Sequence, residues 1–300
     1  MTVFGRRGAA ALEWRVRDRA VPLDRPVVLG VLNVTPDSFS DGGEFLSLDA
    51  AIAHVESLLI DGADGIDLGG ESTRPQGATA VAPEDERDRV IPVIREIARR
   101  FPKALLTVDT TKASIAEAAF AEGAHAVNDV SALRLDPRIA AVCAREGAGI
   151  VLMHSRGSVA TMGTYADAQY GDDPVADVLG ELEEQIGFAE SAGIAASSIA
   201  LDPGLGFSKH SATSLQMIAD LARIAALGHP VLVGPSRKRF VGEITGDSDP
   251  RHRDAGTIGA CTASLERGAR IFRVHEVRSA RRALDVAWAV MQVPHAMMSL

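Results

Sequence analysis

From Val27 to Leu32 every residue is apolar, and the run ends on Asn33. A polar loop with Pro36 and the pair Gly42-Gly43 follows, and a helical pattern then runs from Ser47, a candidate N-cap, to Ile60. Unbroken apolar runs of this length are what parallel strands covered on both faces look like. The same alternation continues to the end of the chain. Strand-like runs lie at Gly65–Gly69, Ala104–Asp109, Ala126–Asp129, Gly149–His154, Ile199–Asp202, Pro230–Gly234 and Arg270–His275. Helical spacing marks Asp85–Arg100, Lys112–Glu122, Asp136–Glu146, Pro174–Ala192, Ser214–Ala226, Gly256–Arg267 and Ser279–Met291. With the first, this makes roughly eight strand-then-helix units, the number that closes a (β/α)8 barrel. A doubly wound open sheet is the rival, but no GxGxxG opens the first helix. Before the first unit, Glu13-Trp14-Arg15-Val16-Arg17 alternates and is set off by Pro22 and Pro26, which predicts a short hairpin or cap. The expected organisation is one α/β TIM-barrel domain over residues 1–300, with 1–26 as lead-in and cap.

Composition narrows the function classes. A net charge of −9 over 300 residues argues against nucleic acid as a general partner, so an anionic substrate needs its own concentrated positive site. The two cysteines, Cys143 and Cys261, lie far apart without metal-ligand spacing, which fits a reducing cytoplasm. No apolar run reaches the roughly 18 residues of a membrane span.

The strands end in polar residues: Asn33, Asp67, Asp109, Asn128 with Asp129, His154, Asp202, Ser236 with Lys238 just beyond, and Arg273 with His275. Strand ends are wet and often polar for that reason alone. Carboxylates and amides inside apolar runs need more, because burying them without partners costs kcal/mol per group. A convergent pocket at the barrel mouth accounts for the whole set. Glu71-Ser72-Thr73-Arg74-Pro75 offers a hydroxyl and a guanidinium, Ser236-Arg237-Lys238-Arg239 is a dense positive cluster, and Arg273 and His275 share a side of the last strand. Together these basic groups read as a phosphate or diphosphate site. On the opposite side of the mouth, Asp109, Asn128 and Asp202 supply donors and acceptors suited to an amino-pyrimidinone edge. A bracing network inside the barrel or a hard-metal site fits those three residues equally well.

The motifs, in order from Val27 to His275, resemble those of the dihydropteroate synthase family. They are Gly30-Val31-Leu32-Asn33-Val34-Thr35-Pro36-Asp37-Ser38-Phe39-Ser40-Asp41-Gly42-Gly43, Gly69-Gly70-Glu71-Ser72-Thr73-Arg74-Pro75, Val108-Asp109-Thr110, Asn128-Asp129-Val130-Ser131, Met153-His154, Asp202-Pro203-Gly204-Leu205-Gly206-Phe207, Ser236-Arg237-Lys238 and Arg273-Val274-His275. The resemblance implies a (β/α)8 barrel that condenses 6-hydroxymethyl-7,8-dihydropterin diphosphate with p-aminobenzoate, giving 7,8-dihydropteroate and pyrophosphate. It implies that Asp109, Asn128, Asp202 and Lys238 bind the pterin beside Phe207 and Met153. Asn33, Thr73, Arg74, Arg273 and His275 would hold the diphosphate, with Mg2+ near Asn33, and Asp109, Lys238, Asn33 and Arg74 would be the catalytic group. Thr73, Pro75, Phe39 and Ser236 would line the p-aminobenzoate pocket that sulfonamides occupy. A cytoplasmic homodimer built through late outer helices, with small-molecule substrates and no nucleic acid or membrane partner, completes the expectation.

The sequence departs from the family pattern at four places. Gln76 lengthens the second loop by one residue, Ser155-Arg156-Gly157 replaces a commoner Met-Gln-Gly, Ser208 stands where Gly is frequent, and Glu276 where Asp is usual. None removes a residue that the chemistry demands, and attack by the aniline nitrogen needs no protein nucleophile, so Ser72, Cys143 and Cys261 are discounted as covalent catalysts. The enzyme rival is a pterin-dependent methyltransferase, which would not need Arg74, Arg273 and His275 to meet a diphosphate. A silent paralogue acting as a partner subunit is the rival from another class.

Overall fold

The computed structural model describes residues 13–34, 48–71 and 81–293. Its first element is an antiparallel hairpin, β1 (Glu13–Val16) and β2 (Arg19–Pro22), turned at Arg17 with φ +56°. Eight parallel strands follow: β3 (Val27–Asn33), β4 (Gly65–Gly69), β5 (Leu105–Asp109), β6 (Ala126–Asp129), β7 (Gly149–Met153), β8 (Ile199–Asp202), β9 (Leu232–Val233) and β10 (Ile271–Val274). Their order is β8-β7-β6-β5-β4-β3-β10-β9, and a parallel bridge between Leu201 and Val231, with Leu201 N–H donating to Pro230 O at 2.8 Å, brings the two ends together. The expected (β/α)8 barrel is the observed architecture.

The helices between the strands are α1 (Leu48–Ile60), α2 (Pro83–Arg100), α3 (Ala113–Ala121), α4 (Arg138–Glu146), α5 (Pro174–Ser191), α6 (Ser211–Ala219), α7 (Leu221–Ala225), α8 (Arg239–Thr245), α9 (Asp254–Glu266) and α10 (Val277–Met291). Two differ from the sequence reading. The segment expected as one helix to Ala226 is broken at Asp220, and the seven-residue α8 follows β9, where the chain was read as loop. Local spacing does not reveal α8, because three turns' worth of periodicity is needed before a pattern stands out. Ser47 lies outside the described residues. The Glu276 carboxylate accepts from Ser279 N–H at 3.0 Å and so caps α10, a role its extra methylene does not prevent.

Alternation along each strand sorts the core into two bodies. Val28, Ile66, Leu106, Val127, Ile150, Ile199, Val233 and Phe272 face outward into the helices. Val27, Leu29, Leu105, Ala126, Val151, Ala200, Leu232 and Ile271 face inward and pack with Trp14, Val16 and Leu23. The hairpin is thus the floor of the barrel. Trp14 is fully buried, and its indole N–H donates to Ser198 O at 2.9 Å. Gly149 is required here, since a Cβ at that position would lie 2.4 Å from Val16. With the floor dry and apolar, the interior can be polar only toward the carboxyl ends of the strands. No helix among the described residues is long and apolar enough to cross a membrane.

Trp14 is the largest side chain of the floor. Trp14→Ala should lower stability by about 3–5 kcal/mol, read as a shift of the urea midpoint with the slope unchanged.

Candidate active site

Two residues above the apolar floor, the inward positions turn polar. Asp67 in β4 is fully buried, accepts from Thr107 Oγ1 in β5 and from Asn128 Nδ2 in β6 at 3.1 Å, and receives Arg273 Nε from β10. Arg273 also donates through Nη2 to Asp109 Oδ2 at 3.0 Å. A single guanidinium therefore bridges carboxylates from the second and third barrel strands. The sequence reading put the acids and the basic group on opposite sides of the mouth, and the structure corrects it. A small barrel interior is narrow enough for one arginine from the last strand to reach across.

Above this layer lie the mouth residues. Asp109 is pushed up to about 7, first by burial and against the pull of Arg273. Burial raises Asp202 to about 6, opposed by the Gly204 amide, which donates to its Oδ1 at 2.7 Å. Burial and then the neighbouring Arg273 bring Lys238 down to about 7. Its Nζ lies 3.5 Å from the centroid of the Phe207 ring, which packs with Met153, Val130 and Met162 as one apolar wall. Asn128 Oδ1 is buried with no hydrogen-bond partner. Its amide nitrogen is committed to Asp67, so the oxygen is an acceptor held ready, at a cost of about 1–3 kcal/mol until something donates to it. Asp109, Asn128, Asp202, Lys238, Met153 and Phe207 thus gather acceptors, one ammonium and an aromatic face around one spot. That set can grip the edge and face of a flat, hydrogen-bonding heterocycle.

Ser236 Oγ accepts from the His275 amide at 3.1 Å and lies 2.9 Å from its Nδ1, which places both beside Arg273 at the end of β10. Asn33 is the last, half-exposed residue of β3, paired in register with Gly69. Thr73, Arg74, Pro75, Gln76 and Phe39 lie outside the described residues. On either side of the second of these segments, Glu71 Oε1 accepts from Val81 N–H at 2.6 Å and from Lys112 Nζ at 3.1 Å.

Several expected members turn away. The period of two that sends Asn128 inward sends Asp129 outward, where it accepts from Ser131 and Leu133 amides and braces a turn. His154 likewise leaves the mouth and meets Glu181 and Lys209. The positive cluster also disperses: Arg237, with φ +59°, pairs with Asp254 at 2.8 Å, and Arg239 covers Tyr165 with its guanidinium 4.3 Å from the ring centroid. Lys238 is its member at the mouth. The cysteines are buried and unbridged, and burial pushes both thiols up, so neither is a nucleophile. A cleft of about 740 Å3 beside the hairpin, lined by Arg17, Arg19, Phe101 and His125, lies at the other end of the barrel. Its arginines are engaged by main-chain carbonyls of residues 102–104, 120 and 124.

The sequence reading overlooked two residues. Asp67 was read only as a strand end, although its mid-strand place in Gly65-Ile66-Asp67-Leu68-Gly69 signals an inward acid. Lys209 carried no signal beyond its neighbour Ser208.

Residues 29–275 match the family model described as "Pterin binding enzyme". The dihydropteroate synthase of Synechocystis is 42% identical over 270 residues, covering 89% of this chain and 90% of that one. The chain belongs to the dihydropteroate synthase family. A solved structure of the Xanthomonas albilineans dihydropteroate synthase with 4-aminobenzoic acid superimposes with a TM-score of 0.87 at 45% identity, covering 95% of this chain and all of the other. The mitochondrial folate synthesis bifunctional protein of Arabidopsis thaliana is 43% identical over 277 residues, and the chain spans half of its length. The glycine that the resemblance leads us to expect at Ser208 has a backbone reason. That residue has φ +46°, and here its hydroxyl offsets the strain by donating to Arg156 O at 2.7 Å and accepting from Arg156 N–H at 3.0 Å.

Removing Arg273 would leave two inward carboxylates facing each other. Arg273→Ala should cost about 3–5 kcal/mol at pH 8, and less at pH 5, where Asp109, already near 7 and raised further by the loss, takes up a proton. Melting curves at the two pH values check the sign.

Proposed function

We infer that the chain catalyses the condensation of 6-hydroxymethyl-7,8-dihydropterin diphosphate with p-aminobenzoate to 7,8-dihydropteroate and pyrophosphate. The observation that carries this reading is the orphaned Asn128 Oδ1 between two buried carboxylates and a lysine stacked on Phe207, in a chain of this family. Asp202 as the carboxylate accepts the paired N–H groups of the pterin's amino-pyrimidinone edge, and Asn128 Oδ1 accepts a further one. Lys238 Nζ donates to a ring acceptor, and Phe207 and Met153 cover the ring.

Cleavage of the carbon–oxygen bond develops positive charge on the pterin and negative charge on the departing diphosphate. Asp109, beside the ring, favours the first. Arg273 uses two of its five donor hydrogens on Asp67 and Asp109, which aims the guanidinium and leaves the others for the leaving group. His275, steadied by Ser236, stands next to it. Thr73 and Arg74 complete the anion site, and Phe39, Pro75 and Ser236 the p-aminobenzoate pocket, on the strength of the resemblance. The aniline nitrogen then attacks the pterin's exocyclic carbon and loses its proton.

We assign Mg2+ as the cofactor. Among the described residues no three His, Cys, Asp or Glu side chains gather as a metal cage, and Asn33 offers a hard amide oxygen at the end of β3. That donor set suits an ion that arrives with substrate phosphates and keeps several waters. When bound, it would neutralise charge on the diphosphate. Cytoplasmic residence fits the two free cysteines. A homodimer through α10 fits its exposed face, where Val286 and Val290 are 66% and 67% exposed at i and i+4, with Val293, 62% exposed, just past the helix end.

Pyrophosphate should be released only when both substrates and Mg2+ are present, and Lys238→Met should lower pterin affinity at least tenfold without changing the melting temperature by more than a few degrees. Absence of p-aminobenzoate-dependent release from folded protein, or unchanged calorimetric affinity, contradicts the assignment. For the dimer, Val290→Glu should convert the sedimenting species to half the native mass; a native protein already of one chain's mass rejects it.

A further inference from the structure

Lys209 is only 1% exposed, yet it lies outside the mouth, on the far side of the loop that carries Asp202 and Phe207. Its Nζ donates to His154 Nδ1 at 2.8 Å, to His154 O at 3.3 Å and to Phe207 O at 3.2 Å. An ammonium can only donate and the Glu181 carboxylate only accept, which assigns the imidazole proton to Nε2, 3.0 Å from Glu181 Oε2. Glu181 is held in turn by Arg156, whose guanidinium lies 4.1 Å from the Tyr170 ring centroid. The Tyr170 hydroxyl donates to Ser208 O at 3.0 Å. The loops after β7 and β8 are so closely stitched that a Cβ at Gly204 would lie 1.9 Å from His154 O and 3.3 Å from Lys209 Nζ. Gly204 is the residue whose amide holds Asp202.

We propose that Lys209 is a positioning residue for the pterin pocket: its ammonium ties the loops after the fifth and sixth barrel strands together through His154 and Phe207, and adds to Lys238 and Arg273 a positive charge behind the pocket that helps keep Asp202 ionised as the ring's acceptor. The inference rests on the reaction assigned above and adds a residue behind its pocket. Hydrogen bonds to two carbonyls and a ring nitrogen are more than packing needs, and an unpaired buried ammonium is expensive unless its charge serves a partner. The charged and titratable groups that face it are Asp202 from β8, His154 after β7, Glu181 on α5, Arg156 and Tyr170 from the intervening loop, and Lys238 beyond β9. His154 is neutral, brought down to about 4 by burial and by Lys209. Lys209 itself is lowered to about 7 by burial and is therefore still a cation at pH 6, where Asp202 titrates.

The sign follows from the pair. Asp202 must be a carboxylate to accept two N–H groups, so ring affinity falls as pH drops through about 6. Without the cation behind it the carboxylate protonates at higher pH, by about one unit for an opposite charge at close range. The test is calorimetric titration with 6-hydroxymethylpterin, which carries no phosphate, from pH 4.5 to 8 for the native chain and Lys209→Met. The variant should match native affinity at pH 8, lose it about one pH unit earlier on acidification, and bind roughly tenfold more weakly at pH 5. A folded Lys209→Met with the native midpoint overturns the role alone. Native protein that fails to bind the ring at any pH overturns both the role and the assigned reaction. Should Lys209→Met not fold, Lys209→Gln keeps a hydrogen-bond donor but removes the charge. Its midpoint should move the same way, and an unmoved midpoint overturns the proposal.

Discussion

Arg273 lies across the barrel interior, with Asp67 on its Nε and Asp109 on its Nη2, and the rest of the site is arranged around that bridge. Two carboxylates on neighbouring strands, with at most 14% of either side chain exposed, would repel without a cation between them. The guanidinium offsets that repulsion and, being planar and forked, fixes the direction of both partners. Asn128 is drawn in by its own bond to Asp67, and this leaves its oxygen unsatisfied beside the mouth. One ion bridge thus sets the aim of Asp109 and Asn128 and the donors that remain on Arg273.

The floor below makes the arrangement possible. Trp14, Val16 and the inward aliphatic layer exclude water from one end of the barrel, so the polar layer faces solvent only through the mouth. Burial of this kind raises Asp109 and Asp202 and lowers Lys238 toward neutrality, where each can change partners with a ligand at little cost. Two lysines flank the Phe207 and Asp202 loop on opposite sides. Lys238 lies on the ring inside the mouth, and Lys209 holds the backbone outside it.

How far the site was legible depends on what each residue had to signal. Asp109, Asn128 and Asp202 were visible because polar groups that end apolar runs need a reason. Arg273 and His275 were visible from their spacing, and Lys238 from its cluster, although the cluster's other members proved to be tied to Asp254 and Tyr165. Asp67 was placed at a strand end when its role is in the strand's middle. Lys209 was invisible, since a lone lysine after a glycine-rich loop is ordinarily a surface charge.

The sequence by itself determined the eight strand-and-helix units, the capping hairpin and the polar residues that end the strands, because apolar runs and period-two alternation are local properties of the chain. Only the tertiary structure decided which charges meet. Arg273 reaches Asp67 across 206 positions of sequence, and Trp14 meets Ser198 across 184. Those pairings follow from closure of the barrel, which sets the distance across its interior, and no local pattern encodes that distance.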